Sequence, residues 1–358
     1  MNIVIAGGGT GGHLYPGLAL ADALAARDAK ITFVGTAGGI ETRVVPAAGY
    51  ALRLLPGQQV RGGGVGRAAA ALAAAARGTA RGVALLRALR PDLVVGVGGY
   101  ASVAVVLAAR LRRVPVVLLE QNVVPGAANR AMARLARRIC VGFAETVACF
   151  PAGRAIHTGN PVRAAIVEAA AARVPHTRPG VLVFGGSAGA RRVNRSVLEA
   201  LPLLGPLGRA IDLTHQTGTQ DVDEVRAGYG GLGIAARVEP FIADMAGAYA
   251  AADLVIARAG AMTCAEVTAV GLPAILVPYP FAADDHQRRN AEVLAAAGAA
   301  EMILDRELDG ARLAAVVRPL LEDAAQRGRV AAQARALGRP DAAARVAVEC
   351  LALAAAAA

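Results

Sequence analysis

Two stretches of this chain set reactive side chains directly beside glycine turns. The first reads Gly7-Gly8-Gly9-Thr10-Gly11-Gly12-His13, so that G-x-G-x-x-G follows the apolar run Ile3 to Ala6 and precedes a helical pattern of Leu14, Leu18, Leu20 and Leu24. Glycines at that spacing turn a strand tightly into a helix, whose free amides and dipole attract a phosphate. A dinucleotide would also need an acid near the end of the second strand to hold its ribose, and that strand, Lys30 to Gly35, closes on Gly35-Thr36. NAD and FAD are therefore poor fits. The plainer alternative is that the glycines serve the turn alone. His13 is left at the mouth of the loop, where an imidazole can take up a proton near neutral pH.

In the second stretch, an apolar run from Leu254 to Ala257 gives way to Arg258-Ala259-Gly260-Ala261-Met262-Thr263. Here too a glycine opens a helix whose first amides suit a diphosphate. Glu266 lies one turn further in, and a carboxylate there can accept from both hydroxyls of a ribose. The alternative is a capping box made by Thr263 and Glu266. Asp284-Asp285-His286-Gln287 follows, a dense polar run that suits sugar hydroxyls or, more plainly, a solvated loop.

The elements that must position these groups alternate between short β-rich runs and alanine-rich helical patterns, the mark of parallel sheets covered on both faces. Strands are expected at 2–6, 30–35, 93–97, 116–119 and 139–141, then again at 181–184, 211–216, 237–240, 254–257 and 274–277. The second set restarts with strand, glycine turn and helix in "VLVFGGSAGARRVNRSVLEAL", so the fold is stated twice. "HTGNPVR" between the sets suits a hinge. The reading is an α/β chain of two Rossmann-like, doubly wound domains facing a cleft: 1–159, 160–340, and a last helix at 341–358 that packs back on the first domain.

Composition narrows the partners. A length of 358 residues exceeds one ordinary core, and 55% apolar content supplies two. No long uncharged apolar run is present, so neither a spanning helix nor a signal peptide is expected. The four cysteines, at 140, 149, 264 and 350, have neither C-x-x-C nor zinc spacing and read as reduced thiols. Residues 1–160 hold 18 of the 38 basic residues and 6 of the 27 acidic ones, so the whole excess of positive charge belongs to the first half. An anionic partner is expected there. With 3% aromatic residues and no RNP-like run, nucleic acid is a poor candidate and an anionic membrane surface a better one.

An ordered series of motifs extends over nearly the whole length: "GGGTGGHLYPGLALA", "VVGVGGYAS", "EQNVVPGAANR", "GNPVR", "FGGSAGAR", "HQTG", "FIADM", "RAGAMTCAEV" and "DDHQRRN". The series resembles glycosyltransferase family 28 of the GT-B glycosyltransferases, in particular those that add N-acetylglucosamine (GlcNAc) to a lipid-linked acceptor in peptidoglycan synthesis. The resemblance implies an inverting transfer of GlcNAc from UDP-GlcNAc to the C4 hydroxyl of undecaprenyl-pyrophosphoryl-MurNAc-pentapeptide (lipid I), giving lipid II, with no metal and no cofactor. The first domain would take the acceptor and face the membrane, and the second would bind the donor. Ile242 would meet uracil through its backbone, Ser187 and the amides of Ala261, Met262 and Thr263 would hold phosphates, and Glu266 would hold the ribose. His286 and Gln287 would read the sugar, with Asn122 and Arg163 completing the donor site. Thr10, Gly11 and Gly12 would border the transferred sugar, and Gly9, Thr10, Gly11, Tyr100 and Asn129 the acceptor. His13 is the candidate base and Glu120 the next carboxylate. The implied location is the cytoplasmic face of the inner membrane, as a peripheral protein, with other cell-wall synthesis proteins as further candidate partners.

The sequence departs from that pattern twice: Leu119 stands where a histidine is common, and Ala188 where a glutamine is frequent. Rival readings are a GT-B transferase for another acceptor, a UDP-GlcNAc 2-epimerase, a noncatalytic lipid-binding scaffold and, last, an NAD oxidoreductase. A membrane-binding helix is expected in Arg61 to Arg90, where Leu72, Val83, Leu85, Leu86 and Leu89 share a stretch with Arg67, Arg77, Arg81 and Arg87. The alternative is an ordinary domain helix with a solvated basic face.

Overall fold

The computed structural model describes residues 1–55, 65–171, 173, 177–186 and 189–356, with 65–74 described as backbone only. The chain divides into two compact units, Met1–Arg163 with Asp341–Ala358, and Ala164–Pro340.

The first unit is built on a parallel sheet of β1 (Asn2–Gly7), β2 (Lys30–Thr36), β3 (Ala51–Leu55), β4 (Leu93–Gly98), β5 (Val116–Glu120), β6 (Arg138–Val141) and β7 (Ala155–His157), in the order β3-β2-β1-β4-β5-β6-β7. Because side chains alternate across a strand, β1 sends Ile3 and Ile5 into one core cluster and Val4 and Ala6 into another on the opposite face. Helices α1 (Gly11–Ala25), α2 (Glu41–Ala47), α3 (Val65–Leu89), α4 (Tyr100–Leu111) and α5 (Ala127–Met132) follow the strands. The last helix, Ala342–Ala355, puts Val346, Ala347, Cys350 and Ala354 into the cluster that holds Leu14 and Leu18 of α1.

The second unit repeats the plan in a parallel sheet of β8 (Gly180–Phe184), β9 (Asp212–Gln216), β10 (Ala236–Glu239), β11 (Leu254–Ala257), β12 (Ala274–Leu276) and β13 (Ala300–Met302), ordered β10-β9-β8-β11-β12-β13. In each sheet the strand order reverses once, between β1 and β4 and between β8 and β11. Open sheets of this kind bind ligands at the carboxyl ends of the strands at such a point.

Three of these strands were not expected from the sequence: β3, β7 and β13. Each lies at a sheet edge, where one flank is unpaired and the burial is mixed, so none carries a continuous apolar run. The expectation for α3 needs correcting. Leu86 is buried in the core cluster under α4, and Val83, Leu85 and Leu89 pack against that cluster. Gly78 and Gly82 let the helix approach α4 so closely that a Cβ on Gly82 would sit 3.0 Å from Ala108 Cβ. These apolar residues therefore serve the domain core. The exposed face carries Arg77, Arg81 and Arg87. Arg61 lies outside the described residues, as do the side chains of Arg67 and Leu72.

Candidate functional site

At the first switch point the backbone follows positive φ through Gly7, Gly8 and Gly9 and enters α1 at Thr10, which caps the helix with no side-chain hydrogen bond. The opening amides of Gly11 and Gly12 are thus held by no capping side chain, the arrangement that receives an anion. His13 follows on the same turn. Its ring lies against the end of β4, where a Cβ on Gly98 would sit 2.8 Å from Nδ1, and its Nδ1 is 3.2 Å from Gln121 Oε1.

The acid missing at the end of the second strand is supplied from α2. Glu41, 1% exposed, turns its carboxylate back to accept from Gly9 N (2.8 Å), Thr36 N (2.9 Å) and Thr36 Oγ1 (3.1 Å). Burial by itself would raise its pKa, but the amides of Thr36 and Gly9 outweigh it and hold the group below the usual glutamate value. A Cβ on Gly8, Gly35 or Gly39 would collide with this carboxylate. The glycines therefore make room for an internal acid.

The loop after β5 is organised around Glu120, which is 2% exposed. Its oxygens accept from the amides of Asn122 (3.0 Å) and Gly126 (3.0 Å) and from Asn129 Nδ2 (2.8 Å). Asn129, itself 3% exposed, gives its amide also to Leu119 O at 2.8 Å. Both groups thus hold the loop together from inside it. The Asn122 carbonyl accepts from Thr146 Oγ1, and Leu119 is buried in the core. Tyr100 opens α4, but its hydroxyl is buried against α3 near Gly78 with no hydrogen-bond partner among the described residues. Arg163 lies over the ring of Tyr15 on α1, 4.8 Å from its centroid.

In the second unit the loop after β8 turns at Gly186 and Gly189, both at positive φ; Ser187 and Ala188 lie outside the described residues. The helix Ala261–Val270 begins at Gly260, again with no side-chain cap, leaving the first-turn amides of Ala261, Met262 and Thr263 for an anion. Since Gly260 is the N-cap, Thr263 and Glu266 form no capping box. Glu266 is 7% exposed and accepts from Tyr249 Oη at 2.9 Å. Ile242 is fully buried and donates its N–H to Gln216 Oε1 (2.9 Å), while Gln216 Nε2 donates to Gly186 O (2.9 Å). Gln216 thereby ties the "FIADM" loop to the glycine loop after β8. Asp284 and Asp285 are both left-handed at φ 52°, a strained pair that opens the turn into the helix His286–Ala296. His286 Nδ1 is 2.6 Å from Ala283 O, and Gln287 Oε1 accepts from Tyr279 N at 3.0 Å.

Sequence reasoning passed over Glu41, Gln121 and Gln216. The two glutamines carry a readable signal, a polar side chain at the carboxyl end of an otherwise apolar strand. No D-x-D motif was expected, yet Asp221-Val222-Asp223 has that spacing. Asp221, 5% exposed, is committed to Arg191 at 2.8 Å and to Asn194 Nδ2 at 2.9 Å. Asn194 in turn meets Nε2 of the buried His215, whose pKa burial pushes down to about 4.

Two parallel sheets of Rossmann order, each with a glycine turn and a helix start without a side-chain cap at its switch point, are the two halves of a GT-B fold. Residues 3–141 match the glycosyltransferase family 28 N-terminal domain and residues 180–346 the glycosyltransferase family 28 C-terminal domain. The chain belongs to glycosyltransferase family 28. A Pelobacter propionicus protein named UDP-N-acetylglucosamine–N-acetylmuramyl-(pentapeptide) pyrophosphoryl-undecaprenol N-acetylglucosamine transferase is 45% identical over 368 residues, covering 96% of this chain and 97% of that protein. A Geobacter sulfurreducens protein of the same name is 46% identical over 349 residues, covering 96% of each. The crystal structure of Acinetobacter baumannii MurG superposes with a TM-score of 0.77 at 30% identity, covering 98% of this chain and 99% of that one. A UDP-GlcNAc 2-epimerase from Neisseria meningitidis shares the fold at a TM-score of 0.70 and 14% identity.

Proposed function

We propose that this chain transfers GlcNAc from UDP-GlcNAc to lipid I, forming lipid II. The carrying observation is the end-to-end match, through both domains, to relatives named for that transfer. In this reading the second unit holds the donor: Glu266 takes the ribose, the amides from Ala261 to Thr263 take the diphosphate, the Ile242 backbone meets uracil, and His286 with Gln287 reads the sugar. Ser187, Asn122 and Arg163 are assigned to the same donor. The first unit takes the acceptor at Gly9 to Gly12, and His13 removes the proton of its C4 hydroxyl. Glu120 and Asn129 act by holding the loop that follows β5. Dipoles at the helix start at Gly260 favour the charge that develops on the departing UDP.

A membrane-facing surface is also proposed on the first unit. A groove of about 510 Å³ between α3 and α4, lined by alanines 75, 76 and 80 with Leu107 and Leu111, shares Arg110 and Leu135 with a cavity of about 740 Å³ bordered by Arg113, Arg134, Arg137 and Arg154. Leu111 is 69% exposed. Apolar surface rimmed by arginine suits an anionic bilayer. Among the described residues no helix is long and apolar enough to cross a membrane, which accords with peripheral attachment, placed here at the cytoplasmic face.

The test is transfer of labelled GlcNAc from UDP-GlcNAc to a short-chain lipid I analogue. Labelled lipid-linked disaccharide is expected. Failure with this acceptor alongside transfer to a different lipid would overturn the choice of acceptor.

A further inference from the structure

We infer that Gln121 is a positioning residue that fixes the tautomer of His13, placing the proton on Nδ1 and the lone pair on Nε2. The inference rests on the reading of His13 as the base and adds a group that acts on it from behind. Gln121 follows directly on β5 and is 1% exposed, so its amide must find its partners inside the protein. Three groups meet it: Val97 O at 3.2 Å, Leu119 O at 3.4 Å and His13 Nδ1 at 3.2 Å.

Two of these three are backbone carbonyl oxygens, which only accept. The NH₂ end of the amide must therefore face them, because turning the amide over would press its oxygen against two other oxygens in a buried place. The amide oxygen then faces His13, and an amide oxygen also only accepts. Nδ1 must be the donor, and the neutral ring keeps its lone pair on Nε2. The surroundings of Gln121 dictate this orientation, whichever way its oxygen and nitrogen are labelled. The ring plane is held as well, since His13 packs on Gly98, where no side chain intervenes.

The result is the orienting half of a catalytic triad with a neutral amide in place of a carboxylate. In the transfer, the acceptor O4–H gives its proton to Nε2 as the bond from O4 to the sugar's anomeric carbon forms. The bond from that carbon to the diphosphate oxygen breaks, and its electron pair leaves with UDP. Only the tautomer set by Gln121 can receive that proton on Nε2.

The experiment is nitrogen NMR of the full chain labelled with ¹⁵N-histidine at about pH 8, above the ordinary histidine range, with His13→Gln used to assign the signal among 5 histidines. The wild type should show a protonated Nδ1 and an unprotonated Nε2 at His13, and Gln121→Leu should lose that preference. Turnover of Gln121→Leu should fall roughly 10 to 100-fold, the scale for partners that orient a functional imidazole, with UDP affinity unchanged as evidence that the second unit is intact. A wild-type signal from the Nε2-protonated form overturns the inference, whether or not any variant folds. So does an unchanged tautomer in folded Gln121→Leu. Near-normal turnover of His13→Gln, with the wild-type tautomer as expected, would instead overturn the base reading and leave the tautomer assignment standing.

Discussion

Glu266 and Glu120 show how differently two buried carboxylates can be used. Glu120 accepts from three amide donors of its own loop. Glu266 accepts from the Tyr249 hydroxyl at 2.9 Å and stands on the helix whose opening amides are held by no capping side chain. A carboxylate there can take both ribose hydroxyls, so Glu266→Ala should weaken UDP binding by roughly 1.5 to 3 kcal/mol, the range for hydrogen bonds to a charged group. Titration calorimetry on the folded variant measures this directly, and unchanged affinity would remove Glu266 from the donor site. At this scale the sequence carried the residue types, since glycine turns followed by His13 or Glu266 are local patterns. It could not reveal that Glu120 and Asn129 face each other within their loop, because that depends on how the chain after β5 folds back.

Among elements, the short helix α2 has the most sharply defined role, delivering one carboxylate to the glycine loop of β1 and to the end of β2. Replacing Glu41 by glutamine leaves one acceptor but turns an NH₂ group toward amide donors. We expect Glu41→Gln to destabilise the first unit by roughly 1.5 to 3 kcal/mol, read as a lower midpoint in urea. The pH dependence follows from the lowered pKa. Stability contributed by Glu41 is complete above the ordinary glutamate value of about 4.5 and is lost as pH falls through the depressed folded value. Acidification below about 4.5 should therefore narrow the gap between wild type and Glu41→Gln. A gap that stayed constant into acid would show that the carboxylate charge is not what the loop uses. Most central strands were legible because both their faces are buried and they read as largely apolar runs. The edge strands β3, β7 and β13 carry no such run and were not, although β10, at the other edge of the second sheet, was expected.

For the whole molecule, the uneven charge is the property most open to measurement. If the arginines of the α3–α4 groove and the cavity beside it meet anionic lipid, each contributes about 1 kcal/mol near the surface. Sedimentation with vesicles should then require anionic lipid and weaken as salt is raised, and replacing Arg110, Arg113 and Arg137 together by glutamine should abolish it. Equal binding to neutral vesicles would leave the electrostatic account without support. The sequence by itself determined that two doubly wound units follow one another and that the positive charge resides in the first. It also determined that a glycine turn follows the first strand of each unit, because periodicity, glycine spacing and net charge are properties of neighbouring residues. Only the tertiary structure decided what the glycine loop of β1 encloses and which face of α3 is spent on the core. It alone also brought Gln121 to His13 across 108 positions of chain. Each of these is a contact between distant segments, fixed by how the strands order themselves in the sheet, and no local pattern encodes that order.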